Sequence, residues 1–100
     1  MQDLKRHSTT AKVTTEHASR YLQQLCKHWA HRFPVTFDAQ QGTVEFSAVA
    51  AAEFSVDGGA LILRIYHADA AELPRMETVV ADHLRRFAFR EDLTIDWSVA

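Results

Sequence analysis

The period of the apolar residues changes along this chain, and that change constrains the fold more than any other feature. Two long stretches repeat at helical steps of three and four. The remaining stretches alternate at steps of two, as half-buried strands do. Within 16–32, Ala18, Tyr21, Leu22, Leu25, Cys26 and Trp29, followed by Phe33, form one stripe. Thr15 can cap its start, Glu16 suits the positive end of the helix dipole, and Lys27, His28, His31 and Arg32 suit the negative end. Pro34 disfavours further helix. A second helix is predicted over 70–89, with Asp69 and Glu72 as a capping pair and Pro74 near its first turn. Its stripe is Leu73, Met76, Val80, Leu84 and Phe87.

The alternating stretches are 10–14, 35–38, 43–47, 51–57, 60–66 and 93–97. Matching their apolar faces predicts a hairpin pairing Phe37 with Val44 and Val35 with Phe46, around the loop Ala39-Gln40-Gln41-Gly42. A second hairpin turns at Gly58-Gly59, pairs Val56 with Leu61 and Phe54 with Leu63, and sets Glu53 opposite Arg64 on the outer face. The join near Ala48 to Ala51 can hold a bulge. The last strand, LTIDW, points Leu93, Ile95 and Trp97 inward. Because each strand alternates, the sheet has one apolar and one polar face, which argues for antiparallel pairing. The expected fold is a two-layer α+β sandwich: a mostly antiparallel sheet with two long helices on one face, in the order β-α-β-β-β-β-α-β. Residues 1–8 are expected to be a flexible tail and 9–100 a single domain.

Composition narrows the function classes. With 47% apolar residues and a formal charge of −2, the chain can build a core and is not expected to be disordered. A single cysteine excludes a disulfide framework. Eleven basic against thirteen acidic residues give no footprint for nucleic acid. No apolar run is long enough to span a membrane. The opening MQDLKRHSTT lacks the apolar centre of a secretory signal, so the expected location is the cytoplasm. Protonating all six histidines would move the formal charge from −2 to +4, so behaviour in mild acid should differ from that at neutrality.

The sequence contains no GxSxG, P-loop or GxGxxG motif, and its carboxylates do not pair into an acid/base couple. Catalysis and a cofactor are therefore not expected. Cys26, His28 and His31 spell CxHxxH, but about 200° of helix separates Cys26 from His28, so the two cannot chelate together. Cys26 reads as inert core. His28 and His31 share a face and are weak metal candidates beside their simpler role at a helix C-terminus. His83 lies at the border of the second stripe, and Arg86 and Arg90 share its flank if the helix runs that far. Such a corner could hold phosphate, carboxylate or catecholate oxygen. The plainer alternative is a histidine bonded to backbone, with the arginines paired to Asp82, Glu91 or Asp92, and with Arg90 and Asp92 fixing the turn into the last strand. Trp29 and Trp97 both face inward as core, and one of them could line a pocket. The outer sheet face, less than fully polar at Ile62 and Tyr66, is a possible homodimer surface.

The blocks RYLQQLCKHWAHRFPVTFD and VADHLRRFAFREDLTIDW together resemble a small bacterial family labelled a domain of unknown function. The likeness runs from about residue 10 to Trp97 and is most specific in YLxQLCKHxxH, from Tyr21 to His31, and HLxRFAFREDLxxxW, from His83 to Trp97. Its motif positions fall here on Cys26, His28, His83, Arg86, Arg90, Glu91 and Trp97. Such domains occur beside, or fused to, siderophore-interacting ferric reductases, so the resemblance implies a place in iron-siderophore metabolism. The expected function is a small binding or accessory domain for an anionic ligand or a siderophore-related partner protein, with His83, Arg86, Arg90 and Trp97 as candidate ligand residues. The alternatives are a metal-binding domain using His28, His31 and His83, and a homodimerising interaction module.

Overall fold

The computed structural model describes residues 7–100. In chain order the elements are β1 (His7–Thr14), α1 (Ala18–Trp29), β2 (Val35–Phe37), β3 (Gln41–Ser47), β4 (Ala50–Asp57), β5 (Ala60–His67), a 3₁₀ turn (Ala70–Glu72), α2 (Leu73–Phe87) and β6 (Ser98–Val99). The strands form one antiparallel sheet in the order β2-β3-β4-β5-β1-β6. Helix α1 packs over β2 to β5, and α2 packs over β5 and β1. The α+β architecture is the one the alternating and helical periods require.

The stripe of α1 is buried throughout: Ala18, Tyr21, Leu22, Leu25, Cys26 and Trp29 all face the sheet. Leu73, Val80, Ala81 and Leu84 do the same on α2, and Met76 and Phe87 are half-buried. Their sheet partners are Ala11, Val13, Val44, Ala52, Phe54, Leu61, Leu63 and Ile65. Trp29 lies nearly parallel to Phe54, with ring centroids 6.0 Å apart, and edge-on to Phe46 at 5.3 Å. Offset and T-shaped geometries of this kind are the favoured aromatic ones.

The second hairpin has the expected register, with Val56 opposite Leu61, Phe54 opposite Leu63 and Glu53 opposite Arg64. Gly58 has a φ of +59°, a conformation that only glycine adopts without strain. A register shift between Glu45 and Ser47 supplies the expected irregularity, a little earlier than Ala48.

Apart from the ends of α2, four boundaries differ from the sequence reading. Strand β1 begins at His7, so His7 and Ser8 belong to the sheet; the rest of the expected tail lies outside the described residues. Thr9 is fully buried and its hydroxyl donates to Glu77 of α2 at 2.7 Å, which holds this end of the strand in place. Helix α1 starts at Ala18 because the Thr15 hydroxyl accepts from the His17 amide, a turn formed one step before the helix. In the first hairpin Val35 opposes Val44 and Phe37 opposes Gly42, two residues from the predicted register. Gly42 is thus inside β3, where a Cβ would lie 2.5 Å from Cys26 Sγ. Only glycine lets α1 approach this closely. The expected loop shrinks to a turn in which the Asp38 carboxylate accepts from the amides of Gln40 and Gln41. These bonds hold the Asp38 carboxyl below its usual range.

The fourth difference is at the end. Leu93, Ile95 and Trp97 do turn toward the core, but that segment makes no ladder. Pairing with β1 begins only at Ser98, opposite Thr10, and at Val99, opposite Thr9.

Candidate functional site

The two helices meet where α1 ends and where α2 passes its middle. There His28 and His83 come together across the interface, with ring centroids 5.0 Å apart. Trp29 stands 4.9 Å from His83, and Phe87 presents its edge to His28 at 5.9 Å. Residues beyond α1 close the far wall: the chain turns after Trp29, with the Arg32 and Phe33 amides both donating to the Trp29 carbonyl. The result is an open cleft of about 540 Å³ lined by His28, Trp29, His31, Arg32, Phe33, Phe46, Val79 and His83. Cleft volumes of about 300–1,000 Å³ with mainly apolar walls and a few polar groups are typical of small-ligand sites.

His83 Nδ1 sits 2.7 Å from the Val79 carbonyl one turn earlier, which fixes Nδ1 as the protonated nitrogen in the neutral ring. Its Nε2 is then the free edge. The pKa of His28 is lowered, first by burial and then by the nearby charges of His83, Arg86, His31 and Arg32. The His28 imidazole therefore favours its neutral form at this contact. Among the described residues no group of three or more His, Cys, Asp or Glu side chains is placed to hold a metal ion. His28, His31 and His83 share the cleft without converging on a point.

The expected corner of His83, Arg86 and Arg90 is divided. Helix α2 stops at Phe87, and Ala88 caps it, so Arg90 leaves the flank that a helix running to 89 would have given it. Arg86 stays near enough to His28 for its charge to be felt. Arg90 instead lies with its guanidinium carbon 5.4 Å from the centre of the exposed Phe89 ring. It lines a second cleft with His17, Arg20, Tyr21, Gln24, Phe87, Phe89 and Glu91. Trp97 is half-buried against the core and lines neither cleft.

Sequence reasoning missed the role of Glu91. Its carboxylate accepts from the Tyr21 hydroxyl and from the Thr15 hydroxyl, the latter at 3.0 and 3.2 Å. These bonds fix the turn after α2 to the start of α1, the task assigned above to Arg90 and Asp92; among the described residues those two make no ion pair. The hydroxyl bonds, Tyr21's foremost, hold the Glu91 carboxyl below its usual range, while burial and the adjacent carboxylate push Tyr21 up to about 12. Tyr21 sits in an apolar stripe and so read only as core; the pattern carries no sign of where its hydroxyl points. Cys26 is fully buried and its thiol is pushed up to about 11 by that burial, which makes it unreactive.

A model of a bacterial family described as "Uncharacterized protein conserved in bacteria (DUF2218)" matches residues 10–98. The chain belongs to that family. The DUF2218 match takes in both motif blocks, and with them His28, His83, Arg86, Arg90 and Trp97. The chain is also similar to a solved structure titled "NMR structure of PA4090 from Pseudomonas aeruginosa". The two share 36% sequence identity with a TM-score of 0.75, over 91% of this chain and 94% of that one. Comparison with curated proteins gives no match. No helix among the described residues is long and apolar enough to cross a membrane.

Proposed function

We propose that this DUF2218 chain is a non-enzymatic binding domain that takes a small, anionic, aromatic ligand into the cleft between its helices. The observation that carries the reading is the set of rings around His83: Trp29 and His28 within 5.0 Å on one side, with Phe33 and Phe46 on the wall beyond. A flat ligand can stack on these faces while its oxygens meet His31, Arg32 and the free edge of His83. Arg86, outside the cleft, adds positive charge beside it. Catecholates and aryl carboxylates fit this chemistry. The resemblance to domains found near siderophore-interacting reductases points to a ferric catecholate, which gives the domain an accessory role in iron acquisition.

The test is a titration with the ferric complex of 2,3-dihydroxybenzoate, followed by tryptophan fluorescence in a Trp97→Phe background so that Trp29 reports alone. The expected result is saturable quenching at micromolar ligand, weakened about tenfold by His83→Gln or Arg86→Ala, which corresponds to ~1.4 kcal/mol. Quenching that does not saturate, or that both variants leave untouched, overturns the reading. A homodimer is the competing use of the fold. A groove of about 540 Å³ on the outer sheet face, holding Phe37, Thr43, Ile62 and Arg64, supports that second reading. Light scattering over a dilution series decides it, since a monomer at every concentration removes the dimer.

A further inference from the structure

The second cleft has a chemistry of its own. It measures about 460 Å³ and shares no lining residue with the histidine cleft. Arg20, from the first turn of α1, and Arg90, from the segment after α2, both line it. Among the described residues neither guanidinium has a carboxylate oxygen within 4.0 Å. The only carboxylate among the described residues of the wall, Glu91, is already engaged by the hydroxyls of Tyr21 and Thr15. Two guanidinium charges against one carboxylate leave the cleft positive.

Two more features ask for an occupant. Gln24 lines the cleft, and its Oε1 is buried without a hydrogen-bond partner. An unpaired acceptor of this kind is destabilising until it meets a donor. Phe89 is 74% exposed and sits beside Phe87 on the same wall. Its ring offers a face on which a flat ligand can pack, beside the Arg90 guanidinium 5.4 Å from its centre.

We infer that this cleft binds a small aryl hydroxycarboxylate, a monoanion carrying one hydroxyl donor. Its carboxylate pairs with Arg20 and Arg90, the residue pair best suited to planar anions. Its ring covers Phe89 and Phe87. Its hydroxyl donates to Gln24 once the amide turns about its last torsion to bring Oε1 to the wall. This site stands independently of the histidine cleft, and each can fail without the other.

The experiment is an amide-resolved NMR titration of the full chain with 3-phenyllactate. The expected result is saturable shifts at His17, Arg20, Tyr21, Phe89 and Arg90, with the amides around Trp29 and His83 unmoved. Arg90→Gln should weaken binding about tenfold. 3-Phenylpropionate, which lacks the hydroxyl, should bind several-fold more weakly, and the uncharged 3-phenyl-1,2-propanediol should not saturate at all. Arg90 and Phe89 are exposed, so the variant spectra will show an intact fold away from the cleft. Shifts that never saturate, shifts confined to the histidine cleft, or equal affinity in Arg90→Gln each overturn the proposal.

Discussion

Replacing Gly42 by alanine probes the closest approach of helix to sheet. The new Cβ would lie 2.5 Å from Cys26 Sγ and 2.9 Å from Phe37 Cβ. Comfortable carbon contacts are about 3.5–4.0 Å, so α1 or β3 must move by roughly 1 Å to admit it. Cys26 is fully buried in the same core cluster as Leu22 and Leu25. Overpacking of a fitted core costs about 1–3 kcal/mol. In a domain of this size each 1 kcal/mol lowers the melting temperature by about 4–8 °C. Urea denaturation with an unchanged slope measures the loss. Cys26→Ala removes the nearer of the two obstacles, so the double variant should lose less than the two single variants together, with a coupling of about 1 kcal/mol. Strict additivity, or a Gly42→Ala stability within about 0.5 kcal/mol of wild type, would refute the claim that glycine is there to admit the helix.

Trp29→Ala should cost about 3–5 kcal/mol, because it empties the space between Phe46, Phe54 and His83; calorimetry checks this. Gly58→Val should be more destabilising than Gly59→Val, since only Gly58 needs a positive φ; thermal melts of the two variants compare them. The lowered pKa of His28 makes its neutral form the one the fold prefers. Stability from this site is therefore complete above the ordinary histidine range and falls as pH drops from about 6.5 through the lower folded value. His28→Phe should flatten that part of the pH–stability curve measured by urea titration. Tyr21→Phe should cost about 1 kcal/mol through the lost bond to Glu91, and should bring the Glu91 carboxyl back up toward its ordinary range in an NMR titration.

The parts of the fold that local pattern determines were legible. Gly58-Gly59 and the alternation on both sides fix the register of β4 and β5, and the two helical stripes name nearly all the buried residues of α1 and α2. The first hairpin shows the limit. Registers two residues apart keep the same faces buried, so alternation cannot separate them; the depth at which Cys26 sits over Gly42 does. The last strand failed for a related reason. Leu93, Ile95 and Trp97 follow the inward pattern of a strand, but backbone pairing depends on where β1 runs, which their own sequence does not record. Helical periodicity alone puts His83 at the edge of its helix face. Its contact with His28 depends on how two helices cross, and Arg90 parted from His83 because the helix ends at Phe87.

The position of β1 has a consequence for how the molecule is made. Its neighbours in the sheet are β5 and β6, so its partners lie some fifty and ninety residues further along. The meander from β2 to β5 can close from nearby contacts, whereas β1, synthesised before all of them, must wait, with Thr9, Ala11 and Val13 bare, until His67 has emerged. Within this domain birth order and assembly order run in opposite directions, and the strand most exposed to misassociation during synthesis is β1.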